Sequence, residues 1–129
     1  MNLETFKSFE GRIGRQTWWL SQIVMALVML IPYAVIGGIV FLTTDNSGPQ
    51  PVPSIPALIV ASIVGLIVIV AAIWAGVAIN AKRWHDHGNS GWYQLWSLVP
   101  FVNIWAFIKT GFLRGTEGPN KYGADPIVD

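Results

Sequence analysis

Two apolar stretches, each 25 residues long, carry no charge: Trp18 to Leu42 and Ile55 to Ile79. At about 1.5 Å of rise per residue, each makes roughly 37 Å of helix, more than the roughly 30 Å of a bilayer's hydrocarbon core. The pattern predicts two transmembrane helices, over residues 18–43 and 55–81, that tilt or extend into the interface. Pro32 is a kink point within the first, and Gly37 and Gly38 loosen its second half. In the second, Ala57, Ala61 and Gly65 recur every four residues, a small-residue stripe that lets another helix approach closely. The ordinary Ala and Gly content of a membrane helix accounts for the same positions equally well.

A third apolar segment, Trp92 to Ile108, is shorter, is interrupted by Pro100 and Asn103, and ends at Lys109. It has two readings. As one helix its length just suffices to cross; alternatively the segment turns back near Pro100 as a hairpin buried against protein. The fold class expected is an all-α integral membrane protein, a single domain with three hydrophobic helical segments, the third (residues 91–112) Pro-interrupted and either spanning or re-entrant.

Polar sequence fills the rest: an interfacial segment at 1–17, loops at 44–54 and 82–90, and a turn-rich tail at 113–129. The 44–54 loop holds Asp45 and no Lys or Arg, whereas Lys7, Arg12 and Arg15 precede the first helix and Lys82 and Arg83 follow the second. By the positive-inside rule the N-terminus and the 82–90 loop are cytoplasmic and the 44–54 loop faces outward. A spanning third segment would put Lys109, Arg114 and Lys121 outside, against that rule, although Glu117, Asp125 and Asp129 offset the charge. A re-entrant one would bring all three polar blocks to one face.

Composition agrees with a chain solvated mostly by lipid: 53% apolar and only 12% charged residues. A net charge of +1 without a basic tract argues against nucleic acid as a partner. The absence of Cys excludes disulfides, thiolate metal sites and cysteine nucleophiles. The stretch before Trp18 is too polar and too long to precede a cleaved signal, so the first apolar segment is expected to stay in the mature protein.

The stretch RWHDHGNSGW, residues 83–92, carries the densest chemistry. His85 and His87 lie two apart, about 200° around a helix, and zinc would need further ligands from elsewhere, such as Asp125. His85 and Asp86 are sequence neighbours, which seldom produces an acid–base pair, and no nucleophile elbow or phosphate loop accompanies them. No metal, cofactor or catalytic residue is therefore expected. A structural account covers more residues: Lys82 and Arg83 suit a helix C-terminus, Gly88 a left-handed stop, and Asn89 or Ser90 a cap for the next segment. Trp92 then anchors at the interface. Arg12 and Arg15, three apart at a helix start, are expected on one face as snorkelling anchors, as a guanidinium pair for a lipid phosphate, or as partners of Asp86.

FEGRIGRQTWW at 9–19, KRWHDHGNSGWYQLWSLVP at 82–100 and GTEGPNKYGADP at 115–126 resemble, in order, the signature blocks of the domain of unknown function 805 family, small bacterial inner-membrane proteins of the YhaH type. Trp84 stands where that family commonly has Leu. The resemblance implies a multi-pass protein of the bacterial inner membrane and carries no established activity. It adds the tail to the candidate polar cluster, as a ligand site or a structural one: Arg12, Arg15, Arg83, His85, Asp86, Ser90, Trp92, Asn120, Tyr122 and Asp125.

The leading expectation is a non-enzymatic accessory or scaffold subunit that associates with other membrane helices, a membrane-protein partner or further copies of itself. No polar residue inside the first two spans marks a substrate path. The alternative is an anionic lipid or phosphate-bearing ligand at the Arg/His/Asp cluster. Third comes an oligomeric channel or transporter subunit built around Asn80 and Asn103.

Overall fold

The computed structural model describes residues 1–127, so Asp129 lies outside the described residues. The helices are α1 (Glu4–Lys7), α2 (Arg15–Leu42), α3 (Ile55–Asp86), a 3₁₀ helix (Gly91–Leu98) and α4 (Val102–Gly111). Among the described residues the only β pairing is two isolated bridges. α2 and α3 are both long and apolar enough to cross a membrane. Their large apolar side chains are exposed along most of their length, as lipid-facing residues are.

The chain divides into two compact units. One is Val24–Ile73, containing the apolar parts of α2 and α3 and the loop between them. α2 continues through Pro32 to Leu42. The loop is closed by Asp45 and Val52, which exchange backbone hydrogen bonds of 2.8 and 2.9 Å. A cavity of about 190 Å³ is lined by Pro32, Val35, Ile36 and Ile39 of α2 and by Ala57, Val60, Ala61 and Val64 of α3. The small-residue stripe is thus partly used within the chain: Ala57 and Ala61 face the chain's own first long helix. At Gly65 the space a Cβ would enter is open.

The other unit joins Met1–Ile23 to Trp74–Asp129 and holds all eight Lys and Arg residues. Here the second long helix ends later than its hydrophobic pattern suggests. α3 does not stop at residue 81 but runs on to Asp86, so KRWHD forms its last turns and the connection shrinks to His87–Ser90. Charged residues usually mark a loop because burying them unpaired is costly. In this helix end Lys82, Arg83 and Asp86 are buried, and each is bonded. Gly88 takes φ +76° and stops the helix, and the Ser90 hydroxyl accepts from the Trp92 N–H at 3.4 Å to cap the next segment.

The third apolar segment is broken in two. The 3₁₀ helix ends at Leu98, Pro100 supplies no N–H, and Phe101 takes φ +66°, unusual for a residue with a Cβ. α4 then packs back along the 3₁₀ helix. Both ends of the pair lie beside the same turns of α3. A Cβ on Gly91 would come within 2.8 Å of the Ala81 Cβ, while the carbonyls of Thr110 and Leu113 accept from Arg83. Trp19 Nε1 also bonds the Gly111 carbonyl at 2.9 Å and Trp18 Nε1 bonds Asn80 Oδ1 at 3.0 Å, fixing the base of the hairpin to α2 and α3.

Candidate functional site

The end of α3 is a knot of charge tied by three segments distant in sequence. Asp86 is at its centre, its side chain 1% exposed. One carboxylate oxygen accepts from Arg12 Nε at 3.1 Å and Nη2 at 3.0 Å, a two-pronged guanidinium contact; the other accepts from Arg83 Nη1. The Arg12 and Arg83 side chains are 1% and 0% exposed.

Arg12 reaches this position because it is not helical. α2 begins at Arg15, and Gly11, at φ +90°, turns the preceding chain, so the two arginines expected on one helix face separate. The remaining Arg12 N–H groups bind the tail: the carbonyls of Thr116 and Gly118, both at 2.7 Å, and that of Gly123 at 3.2 Å. A guanidinium has five N–H groups, and all five of Arg12 are thereby used. Arg83 gives two further donors, Nε and one N–H of Nη2, to the Thr110 and Leu113 carbonyls. The net charge of the triad is +1, and burial raises the energy of any charge left unmatched.

The tail is laid against this knot by its own turn chemistry. The Thr116 N–H caps α3 at the Asp86 carbonyl, 2.7 Å away. Gly115 passes so close that a Cβ there would overlap the Asp86 carboxyl group and lie within 2.5 Å of its backbone oxygen. Asn120 Nδ2 bonds the His85 carbonyl at 2.9 Å, while its Oδ1 accepts from the Tyr122 N–H at 2.9 Å. Tyr122 stacks flat on His85, with ring centroids 3.9 Å apart and 5° between planes. His85 Nδ1 lies 3.1 Å from the Gly11 carbonyl, which places a proton on that nitrogen. Asp125 accepts from the Gly118 N–H at 2.9 Å and from the Ile127 N–H at 3.0 Å. The N–H groups of Ile127 and Gly118, with Arg114 nearby, hold its carboxyl below the usual aspartate value.

Of the ten candidates, the structure brings Arg12, Arg83, His85, Asp86, Asn120 and Tyr122 into one cluster, with Asp125 bracing its edge. His85 and Asp86 do not bond each other; the helix aims them apart. Arg15 stands outside the cluster, exposed, its Nη1 bonding the Phe112 carbonyl at 2.9 Å. Ser90 acts as a cap, and Trp92 lies at the surface, 76% exposed. Among the described residues no three His, Asp or Glu side chains converge as a metal site would require.

Sequence reasoning missed the acceptors, because most are backbone carbonyls. It also missed Gly115, although the glycine-rich GTEGPN string contained it, and His87. Burial pushes His87 down to about 4, helped by the charges of Arg83 and Lys109. Its Nε2 is buried without a hydrogen-bond partner among the described residues.

Residues 6–124 match the family described as "Protein of unknown function (DUF805)". The chain is 27% identical over 129 residues to "Inner membrane protein YhaH" of Escherichia coli (strain K12), covering 98% of this chain and 93% of that one. It is 27% identical over 124 residues to "Inner membrane protein YhaI" of the same strain, covering 96% and 90%. It is 28% identical over 144 residues to "Uncharacterized protein YiiR", also of that strain, covering 92% and 85%. No solved structure shows a significant match.

Proposed function

The chain belongs to the DUF805 family, and we propose that it is a non-enzymatic scaffold of the bacterial inner membrane, with two membrane spans and a polar clamp that holds a re-entrant hairpin. The observation that carries this reading is the saturation of Arg12. All five of its donors, and both oxygens of Asp86, are spent on the chain's own groups, so the polar chemistry of all three sequence blocks supports architecture. What remains for partners is the apolar surface of α2 and α3, where Gly37, Gly38 and Gly65 leave open space for a neighbouring backbone.

The hairpin reading rests on lengths and exposure. Eight 3₁₀ residues at about 2.0 Å each and ten α residues at about 1.5 Å each span roughly 15 Å, half the hydrocarbon core. Leu98 and Phe101 at the tip are 79% and 85% exposed, an apolar end suited to lipid. Around the tip the N–H groups of Val99, Val102, Asn103 and Ile104 all find local carbonyls. With both hairpin ends at the clamp, the tail's Arg114 and Lys121 join the other basic residues on one side, which the positive-inside rule makes cytoplasmic.

Native mass spectrometry of protein extracted in mild detergent tests the scaffold reading. A fixed-stoichiometry assembly with a second membrane chain or with further copies is expected; a lone monomer at every detergent mildness would sink the idea. The chain has no Cys. Single-cysteine variants Asp45→Cys, Phe101→Cys and Lys121→Cys therefore read topology directly in intact cells. An impermeant maleimide should label only the first.

A further inference from the structure

We propose that a glycerophospholipid of the cytoplasmic leaflet occupies a crevice between α2, α4 and the 3₁₀ helix, its phosphate on Arg15 and its ester carbonyls on Gln22 and Asn103. The crevice has a volume of about 620 Å³ and is lined by Trp18, Trp19, Gln22, Ser97, Asn103 and Phe107, among others. That is the size of a small-molecule site. Its polarity is graded along one direction. Arg15, Trp18, Trp19 and Gln22 follow at intervals that share one helix face, so the cation, the indoles and the amide stack in that order down α2.

Arg15 is held at the upper end by its bond to the Phe112 carbonyl, and the Phe112 ring lies 5.8 Å from that of Trp19. One of its N–H groups is used there, and the rest point to no protein acceptor among the described residues. Opposite, Thr110 sits at the same level as the Trp19–Gly111 bond, and Asn103 lies two turns of α4 away, about 10 Å toward the hairpin tip. The side chains of Gln22, Ser97 and Asn103 make no hydrogen bond to any described residue, whereas Asn80 beside them is engaged at both ends, with Trp18 and with the Gly76 carbonyl.

Free amides at hydrocarbon depth are costly unless something polar meets them. A cation at headgroup level with neutral donors deeper along the same face follows the order of a phosphate and the glycerol esters beneath it. A soluble phosphate would satisfy only the upper end. Among the described residues no carboxylate lines the crevice to oppose an anion. The anionic-ligand reading of the arginines therefore moves from Arg12, whose donors are spent, to Arg15.

The proposal rests on the re-entrant hairpin, since a spanning third segment would not place Asn103 beside α2. Protein in detergent is titrated with phosphatidylglycerol, and bound lipid is counted by native mass spectrometry. The wild type should retain one lipid at about tenfold lower lipid concentration than Arg15→Gln or the double variant Gln22→Leu, Asn103→Leu. Lys7→Gln, an exposed cation that does not line the crevice, should behave as wild type. Inorganic phosphate should not displace the lipid. Equal retention in all variants, equal loss with Lys7→Gln, or displacement by inorganic phosphate overturns the site. The impermeant-maleimide pattern of Phe101→Cys is read on each background: outside labelling refutes the hairpin itself, while protection with unchanged lipid retention refutes only the lipid site.

Discussion

Replacing Asp86 by Asn keeps the shape of the side chain and removes its charge. In the native knot one carboxylate faces two guanidinium groups whose side chains are 1% and 0% exposed. The substituted amide would still accept from Arg12 through its oxygen, but its NH₂ would confront the Arg83 N–H group, donor against donor, and both buried arginines would lose their counter-charge. Removing one partner of a buried ion pair costs about 3–5 kcal/mol, a large share of the roughly 5–15 kcal/mol that holds a typical domain together. At roughly 3–5 °C per kcal/mol for a chain of this length, melting should fall by about 9–25 °C. Tryptophan fluorescence of detergent-solubilised protein follows the transition, with seven Trp as reporters. Glu117→Gln is the matched control: its contact with Arg114 is 3.6 Å long, with side chains 80% and 46% exposed, and such pairs contribute less than about 1 kcal/mol. An Asp86→Asn protein melting within the spread of that control would refute the view that the knot holds the unit together. Making the triad wholly apolar should not rescue it, although buried ion pairs elsewhere often tolerate such replacement. Here the arginines also satisfy the carbonyls of Thr110, Leu113, Thr116, Gly118 and Gly123, which an apolar side chain would leave unpaired.

Gly115→Ala should detach the tail from α3, since its Cβ has no room beside Asp86; trypsin cleavage after Lys121 should accelerate at least tenfold, and unchanged cleavage would contradict the packing. Asn120→Ala loses bonds to the His85 carbonyl and the Tyr122 N–H and should cost about 1–2 kcal/mol in the same melting assay; a melting temperature equal to wild type would show that the tail turn holds without it. His87 is neutral in the folded protein down to about pH 4, whereas the unfolded chain binds a proton near 6.5. Its contribution to stability is thus complete above pH 6.5 and lost as pH falls from there to about 4. His87→Phe should flatten the melting temperature across that window, and an unchanged slope would assign it to other groups.

Much of this architecture was legible in the residues. The uncharged runs Trp18–Leu42 and Ile55–Ile79 determined two helices long and apolar enough to cross a membrane, because only a helix satisfies its own backbone across a bilayer. Gly88 announced the helix stop, Asn89 or Ser90 the cap and Pro100 the break in the third segment, each through local backbone chemistry that neighbours in sequence suffice to set. The three family blocks contained the side chains that meet in the knot. Three things were decided only by the tertiary structure. KRWHD became helix rather than loop, since the bonds that allow its charges to be buried come from residues 12 and 110–123. Arg12 and Arg15, alike in sequence, took opposite fates, one saturated and buried, the other exposed with a single bond to the Phe112 carbonyl. The 3₁₀ helix and α4 of the third segment both meet the last turns of α3, Gly91 at Ala81 and the Thr110 and Leu113 carbonyls at Arg83, a proximity that the length of the apolar run leaves open. Periodicity and local propensity act over a few residues, whereas counter-charges and hydrogen-bond acceptors here arrive from about a hundred residues away, and only the folded chain brings them within about 3 Å.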